Sequence, residues 1–228
     1  MRLRRARPLH GAAIHFAQAP QPSPQTPWRE AEWCVVDLEL TGLARSDEII
    51  SIGAVPVRGG ALILGESLYT LARPDRPPTR ASVVIHKLRS ADLASAPPTG
   101  EAVELLLDRL AGRVPVFHTA MVERNFLGPE LRRRGLELPA DADTEVLGRR
   151  WLRNRDGDAP AGLSLARLAL LLGQPAEDPH HALGDALTTA KAFIALASHL
   201  DALAPQTVGS LTQPPEPRAP AWRRFGPT

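Results

Sequence analysis

Residues 33–42 read WCVVDLELTG, an apolar run with two carboxylates, Asp37 and Glu39, set into it. Such a run, bounded by Gly42, has the character of a β-strand that ends in a tight turn. On a strand, residues two apart project from one face, so Asp37 and Glu39 lie side by side while Leu38 and Leu40 face the other way. Burying charge is costly, and a like charge alongside raises the cost. A fold that keeps this strand inside must therefore bring positive charge to it. Two carboxylates at a strand end suit a hard divalent cation such as Mg²⁺. A solvated edge strand with ordinary surface charges fits the same short pattern, and the D-x-E spacing alone does not separate the two.

The surrounding segments set the fold class. Residues 48–58 (EIISIGAVPVR) and 61–72 (ALILGESLYTLA) read as two further strands, turned at Gly59 and Gly60, which makes a three-strand antiparallel meander. Short helical pieces follow near 81–86 and 90–93. Residues 99–112 read as a helix with Thr99 as its cap and Gly112 as its stop. VPVFH (114–118) is a short buried strand. Residues 121–135 are helical, and Pro129 is expected to kink or divide them. Residues 142–155 begin as a short strand or turn and continue as a helix; 164–173 and 181–203 are two more helices. Meander first, then alternating helices and short strands, predicts an α/β fold: a mixed central sheet, antiparallel in its first three strands with short parallel strands added, flanked by helices.

A chain of 228 residues suits one domain, placed here at 30–203. Residues 1–29, basic and rich in Pro, Arg, Ala and Gln, are expected to form a disordered arm rather than a targeting segment. Residues 204–228 are expected to be a Pro-rich disordered tail, in which Trp222 and Phe225 beside Arg223 and Arg224 are either a partner-binding peptide or a plain end. The net charge of +2 is too small to argue a global field for nucleic acid. The lone Cys34 cannot make an internal disulfide and reads as a buried, inert thiol, which fits a reducing, cytoplasmic compartment. No run of 18 apolar residues exists, so no transmembrane helix and no membrane partner are expected.

Two further patterns carry chemistry-bearing residues. In PHHALGDALTTA, Pro179 keeps helix from starting earlier, His180 lies at the junction, and Asp185 falls in the first turns of the helix. Both side chains can then aim at one point. Exposed loop histidines and an Asp that favours the helix dipole give the same pattern. In VPVFHTAMVERNFL a short strand leads to His118 and a helix in which Val122 and Phe126 share the core face with Glu123 at its edge. A plain surface Glu, paired with Arg124 or Arg132, is the alternative there.

Taken together, the three patterns resemble the DEDD 3′→5′ exonucleases, in the DEDDh branch whose fifth catalytic residue is a His; that branch includes the proofreading epsilon subunits of bacterial DNA polymerase III and RNase T. The family's D-x-E-T-T-G stands here as D-L-E-L-T-G, its H-N-A-x-F-D-x-x-F-L as H-T-A-M-V-E-R-N-F-L, and its H-x-A-x-x-D-A as H-H-A-L-G-D-A. Order and spacing agree from about Trp33 to Leu200. Lesser echoes are IISIGAV, IHKL at 85–88, the Asp143–Thr144 pair, and LSLARLALLLG. Leu40 replaces a usual Thr, and Glu123 replaces a usual Asp, keeping its charge with one more methylene.

The resemblance implies a ribonuclease H-like exonuclease fold and two divalent ions, Mg²⁺ or Mn²⁺, about 3.5–4 Å apart. It implies that Asp37 bridges both ions, that Glu39 and Asp185 complete the first site, that Glu123 holds the second, and that His180 is the general base. The expected reaction is hydrolysis of the terminal phosphodiester of a single-stranded 3′ end, DNA favoured over RNA, with release of nucleoside 5′-monophosphates. Leu40, Thr41, Gly42, Leu43 and His118 are the expected substrate residues. Leu43 is equally readable as core, and His118 as structural; His86 reads as packing. The alternatives are an RNA-trimming exoribonuclease, or a catalytically weakened module that binds 3′ ends or a polymerase. A polymerase or repair partner would supply context. Arg132–Arg134, Arg149, Arg150, Arg153 and Arg155 either track a strand's phosphates or form solvated helix faces.

Overall fold

The computed structural model describes residues 11–213. Its centre is β1 (Glu32–Leu40), which pairs antiparallel with β2 (Ile49–Arg58) along its length and parallel with the short β5 (Val114–Phe117). β5 in turn pairs parallel with β6 (Ala142–Asp143). The outer edge of β2 carries two pieces, β3 (Ala61–Leu62) and β4 (Leu68–Leu71), where one continuous third strand was expected. Pro56 explains the break. Its carbonyl accepts the Ile63 N–H on that edge at 2.9 Å, so its missing N–H falls on the same edge, where the ladder cannot continue. A 3₁₀ turn at Leu64–Glu66 bridges the gap.

Strand alternation feeds two cores. Trp33 and Val35 of β1 and Val55 and Val57 of β2 join one core with α6 (Thr144–Asp156), α7 (Leu165–Leu171) and α8 (Ala182–Asp201). Cys34, Val36, Leu38 and Leu40 join the other with α4 (Thr99–Leu110) and α5 (Met121–Arg133). Burial pushes the Cys34 thiol up to about 12, so it is inert as a nucleophile. α2 (Arg80–His86) and α3 (Ser90–Leu93) lie between the meander and α4. Pro98, not Thr99, holds the cap position of α4. α5 runs through Pro129 undivided. The carbonyl that loses its bond belongs to the exposed Asn125, on the side where water can take it.

The chain ends are built into the fold further than expected. α1 (Ala12–Gln18) buries Ala13 and Phe16 in the α4-side core, and Trp28 is only 1% exposed. Residues 24–28 run beside 206–209: Trp28 donates its N–H to Gln206, Val208 to Thr26, and Gly209 to Pro24. α9 (Val208–Leu211), closed by a Thr207–Ser210 capping box, buries Val208 and Leu211. The described parts of the two expected disordered ends, 11–29 and 204–213, are therefore corrected. Neither buries enough surface to fold alone, but each sets a few apolar side chains onto a core already formed. Residues 1–10 and 214–228, including Trp222 to Phe225, lie outside the described residues. Among the described residues no helix is long and apolar enough to cross a membrane.

Candidate active site

One cross-strand row organises the site. Asp37 of β1 pairs with Gly53 of β2, and Gly53 pairs with Tyr69 of β4, so all three positions face α8. At Gly53 the helix comes down onto the sheet: a Cβ there would lie 2.2 Å from the Ala182 carbonyl oxygen and 2.4 Å from the Leu183 nitrogen. Only a glycine admits so close an approach. The first turn of α8 thereby delivers Asp185 to the strand, and oxygen atoms of Asp37, Glu39 and Asp185 lie within 4.8 Å of one another. The three carboxylates expected at the first site are thus brought together.

Glu123 enters from the first turn of α5. It is 4% exposed, and its Oε2 is buried with no hydrogen-bond partner among the described residues. The turn before it is held by Asp143, which accepts the N–H groups of Thr119 at 3.1 Å and Ala120 at 2.9 Å while also capping α6 through the Glu145 N–H at 2.8 Å. Thr119 adopts a left-handed φ of 61°, and its hydroxyl donates to Glu145 Oε2. Asp143 and Glu145 were not anticipated as supports; the Asp143–Thr144 pair was the only signal.

The electrostatics of the four carboxylates are one-sided. Burial, then the charges of Glu123, Asp185 and Glu39, hold Asp37 well above the usual carboxylate range, and no positive group among the described residues acts on it. Burial, then Asp185, pushes Glu39 up to about 7. Burial, with Asp143 and Asp141 nearby, pushes Glu123 up to about 8. Burial also raises Asp185, opposed by the backbone N–H of His180 and the two adjacent histidines. Hard oxygen donors, an orphaned buried Oε2 and no compensating cation among the described residues are what a divalent metal site requires.

The histidines divide. His180 is exposed, with a left-handed φ of 62°, and its backbone N–H donates to Asp185 Oδ2 at 2.7 Å. Its link to Asp185 is thus through the main chain, and its imidazole makes no hydrogen bond among the described residues. His181 caps α8 by accepting the Gly184 N–H on Nδ1. His118 is sunk between β5 and α6, its Nδ1 2.9 Å from Thr144 Oγ1, and burial lowers its pKa. That tie sets it beside the support of α5 rather than among the carboxylates. His86 is buried, its Nδ1 accepting the Leu88 N–H, as the packing reading has it.

The expected substrate residues separate likewise. Leu40 is buried in the α4-side core, away from the carboxylates, because the strand pleat turns it there. Thr41 is buried and builds the turn: its hydroxyl donates to Asp47 and accepts the Glu48 N–H, and its carbonyl accepts Ser82 Oγ. Gly42 lies against the Asp47 carboxylate, 2.5 Å from where a Cβ would sit. Leu43 is 79% exposed, which removes its core reading. Much of the arginine is already engaged. Arg133 and Arg134 pair with Glu130, Arg134 with Glu104, Arg150 bonds Ser210 and Gln206, and Arg155 pairs with Asp156.

A mixed sheet whose central strand offers two carboxylates to a third from a helix start, with the charge of a fourth acting on the first, carries an acidic cluster of the kind that suits divalent ions on a ribonuclease H-like fold. A family model described as Exonuclease, of the RNase T type, matches residues 34–193, and the chain belongs to this DEDD exonuclease family. It is 35% identical over 191 residues to a DNA polymerase III subunit epsilon-like protein of Rhodobacter capsulatus, covering 82% of this chain and 27% of that protein. It is 29% identical over 196 residues to the PolC-type DNA polymerase III of Thermotoga maritima, covering 82% of this chain and 14% of the other. The chain thus spans about a quarter or less of these relatives' length. Among solved structures, exonuclease X in complex with 5′ overhanging duplex DNA matches with a TM-score of 0.57 at 23% identity, over 79% of this chain and 97% of that one. The nuclease domain of 3′hExo, a DEDDh family member bound to rAMP, matches with a TM-score of 0.62 at 16% identity, over 80% and 98%.

Proposed function

We propose that the protein is a metal-dependent 3′→5′ exonuclease that hydrolyses the terminal phosphodiester of single-stranded nucleic acid, DNA favoured, and releases nucleoside 5′-monophosphates. The observation that carries this reading is the convergence of Asp37, Glu39 and Asp185, with the charge of Glu123 acting on Asp37 and no positive group among the described residues doing so. Family membership and the epsilon-like relative support it.

Asp37 would contact both of two divalent ions, Mg²⁺ or Mn²⁺, with Glu39 and Asp185 completing one site and Glu123 serving the other. Such ions, when bound, supply the positive charge that activates water near neutral pH and stabilises the leaving oxygen. The chain's own residues do the rest. Asp185 fixes the His180 backbone by accepting its N–H, and the His180 imidazole beside it is exposed. An imidazole nitrogen of His180 takes the proton of the attacking water, the general-base role to which a histidine side chain is suited. Leu43, held out by the turn at Thr41 and Gly42, wedges against the terminal base. The role within a cell, in proofreading, repair or RNA trimming, would come from a polymerase or repair partner.

A digestion time course tests the reading. Matched 5′-labelled single-stranded DNA and RNA are given Mg²⁺, Mn²⁺ or chelator, with wild type and Asp37→Ala. A metal-dependent ladder from the 3′ end, absent in Asp37→Ala, is expected. No ladder from folded wild type with either polymer would overturn it. Poor Mn²⁺ binding by calorimetry would then favour a retired, 3′-end-binding module; the charge of Glu123 acting on Asp37 speaks against that module.

A further inference from the structure

Tyr69, the only tyrosine of the chain, stacks on His181, with ring centroids 4.5 Å apart and planes 22° from parallel. It stands on an edge strand, 40% exposed, where nothing in the core requires it. Its partner in the β-ladder is Gly53, which has no side chain, and beyond Gly53 comes Asp37. α8 sits over the gap in this row, with His181 toward Tyr69 and Asp185 toward Asp37.

From this placement we infer that Tyr69 is a positioning residue for the exonuclease reaction: its ring clamps His181 to the sheet and so holds the adjacent His180 in its productive conformation. The inference rests on the proposed role of His180. The other bonds of this junction travel with it: His180 N–H to Asp185 Oδ2, and Gly184 N–H to His181 Nδ1, both join the loop to its own helix. They set the shape of the junction but not its place against the strands. The close packing of Ala182 on Gly53 anchors the helix one residue further on. The Tyr69 stack is the side-chain tie between the sheet and the residue next to His180. His180 needs such a tie because a non-glycine residue at φ 62° lies in a region that L-residues leave when free to do so.

Tyr69→Val, which keeps strand propensity and removes the ring, and Tyr69→Phe, which keeps it, test the clamp. In the metal-free protein, the His181 ring protons should carry an upfield shift from the tyrosine ring, and the His180 amide should be protected from hydrogen exchange. Tyr69→Val should abolish the shift and speed His180 exchange about fivefold, and should lower kcat about fivefold with KM within about twofold, as the loss of one aromatic stack predicts. Tyr69→Phe should match wild type in every readout. Unchanged exchange and His181 shifts in Tyr69→Val would overturn the clamp, and so would a Tyr69→Phe protein as impaired as Tyr69→Val. Unchanged kcat beside altered exchange would overturn the positioning role. If wild type digests nothing, the proposed function fails, while the exchange result still decides whether the clamp exists.

Discussion

Gly53→Ala adds one methyl group where the first turn of α8 leaves no room for it. The new Cβ would fall 2.2 Å from the Ala182 carbonyl oxygen, where ordinary contact begins at 3.4 Å, so the first turn of α8 must retreat by about 1.2 Å or β2 must yield. The obstructing atoms are backbone, which cannot rotate aside. Asp185 rides on that turn and would leave oxygen atoms that now lie within 4.8 Å of it. Displacement of a reacting group by about 1 Å costs roughly 100-fold in rate, and overpacking of a filled interior costs about 1–3 kcal/mol of stability. Gly53→Ala should therefore lose about 100-fold in kcat/KM on single-stranded DNA and bind Mn²⁺ more weakly by calorimetry, while remaining folded. Gly65→Ala, with nothing within 4 Å of the added atom, is the control and should behave as wild type. A Gly53→Ala protein within about twofold of wild type in rate and Mn²⁺ affinity would refute the claim that this contact places Asp185.

Three further outcomes follow from the same structure. Glu39 and Glu123 are raised from 4.5 to about 7 and about 8, so the folded protein holds protons that the unfolded chain has released; that stabilisation is full below about 4.5 and is lost as pH rises through about 7 to 8. The melting temperature in chelator should fall by several degrees between pH 6 and 8.5, and Mn²⁺ should restore it; equal values in chelator would contradict the carboxylate repulsion. Glu123→Gln removes the charge that acts most on Asp37, so it should raise the metal-free melting temperature at pH 8.5 while cutting kcat by about 100-fold or more; a destabilised but active variant would be the contrary result. Trp28→Ala should cost about 3 kcal/mol or more in denaturant unfolding, with activity per folded molecule unchanged. A loss under about 1 kcal/mol would mean that the N-terminal segment is not part of the folding unit.

How far these features could be read from sequence depends on whether their cause is local. The pleat of a strand is local, so Asp37 and Glu39 on one face with Leu38 and Leu40 on the other could be read directly. The motif order named Glu123 and Asp185 as partners of that pair; the structure sets Asp185 within 4.8 Å of it, and Glu123 acts on Asp37 through its charge. Gly53 is different: a lone glycine inside IISIGAV signals a close approach, but not which element approaches. Pro56 carried the signal for the broken third strand, since a proline in a strand removes a ladder donor. Phe16 and Trp28 show why the ends were misjudged. Neither sits in a periodic segment, and their anchoring depends on a core formed by residues far along the chain.

The pairing of residues 24–28 with 206–209 has a mechanical consequence. Pro24 and Gly209 lie at the same end of this short ladder as the outgoing chain on both sides. Once Ala13 and Phe16 of α1 had been drawn from their core, tension applied through the two ends would load its bonds in series, as a zipper is opened, rather than together, as in shear. The Gly209–Pro24 bond would part first, then Val208–Thr26, then Trp28–Gln206, each under little force. A nuclease unit held between two tethered neighbours would therefore give way at this seam, shedding α9 and the Trp28 anchor, before strain reached the carboxylates at the far end of β1.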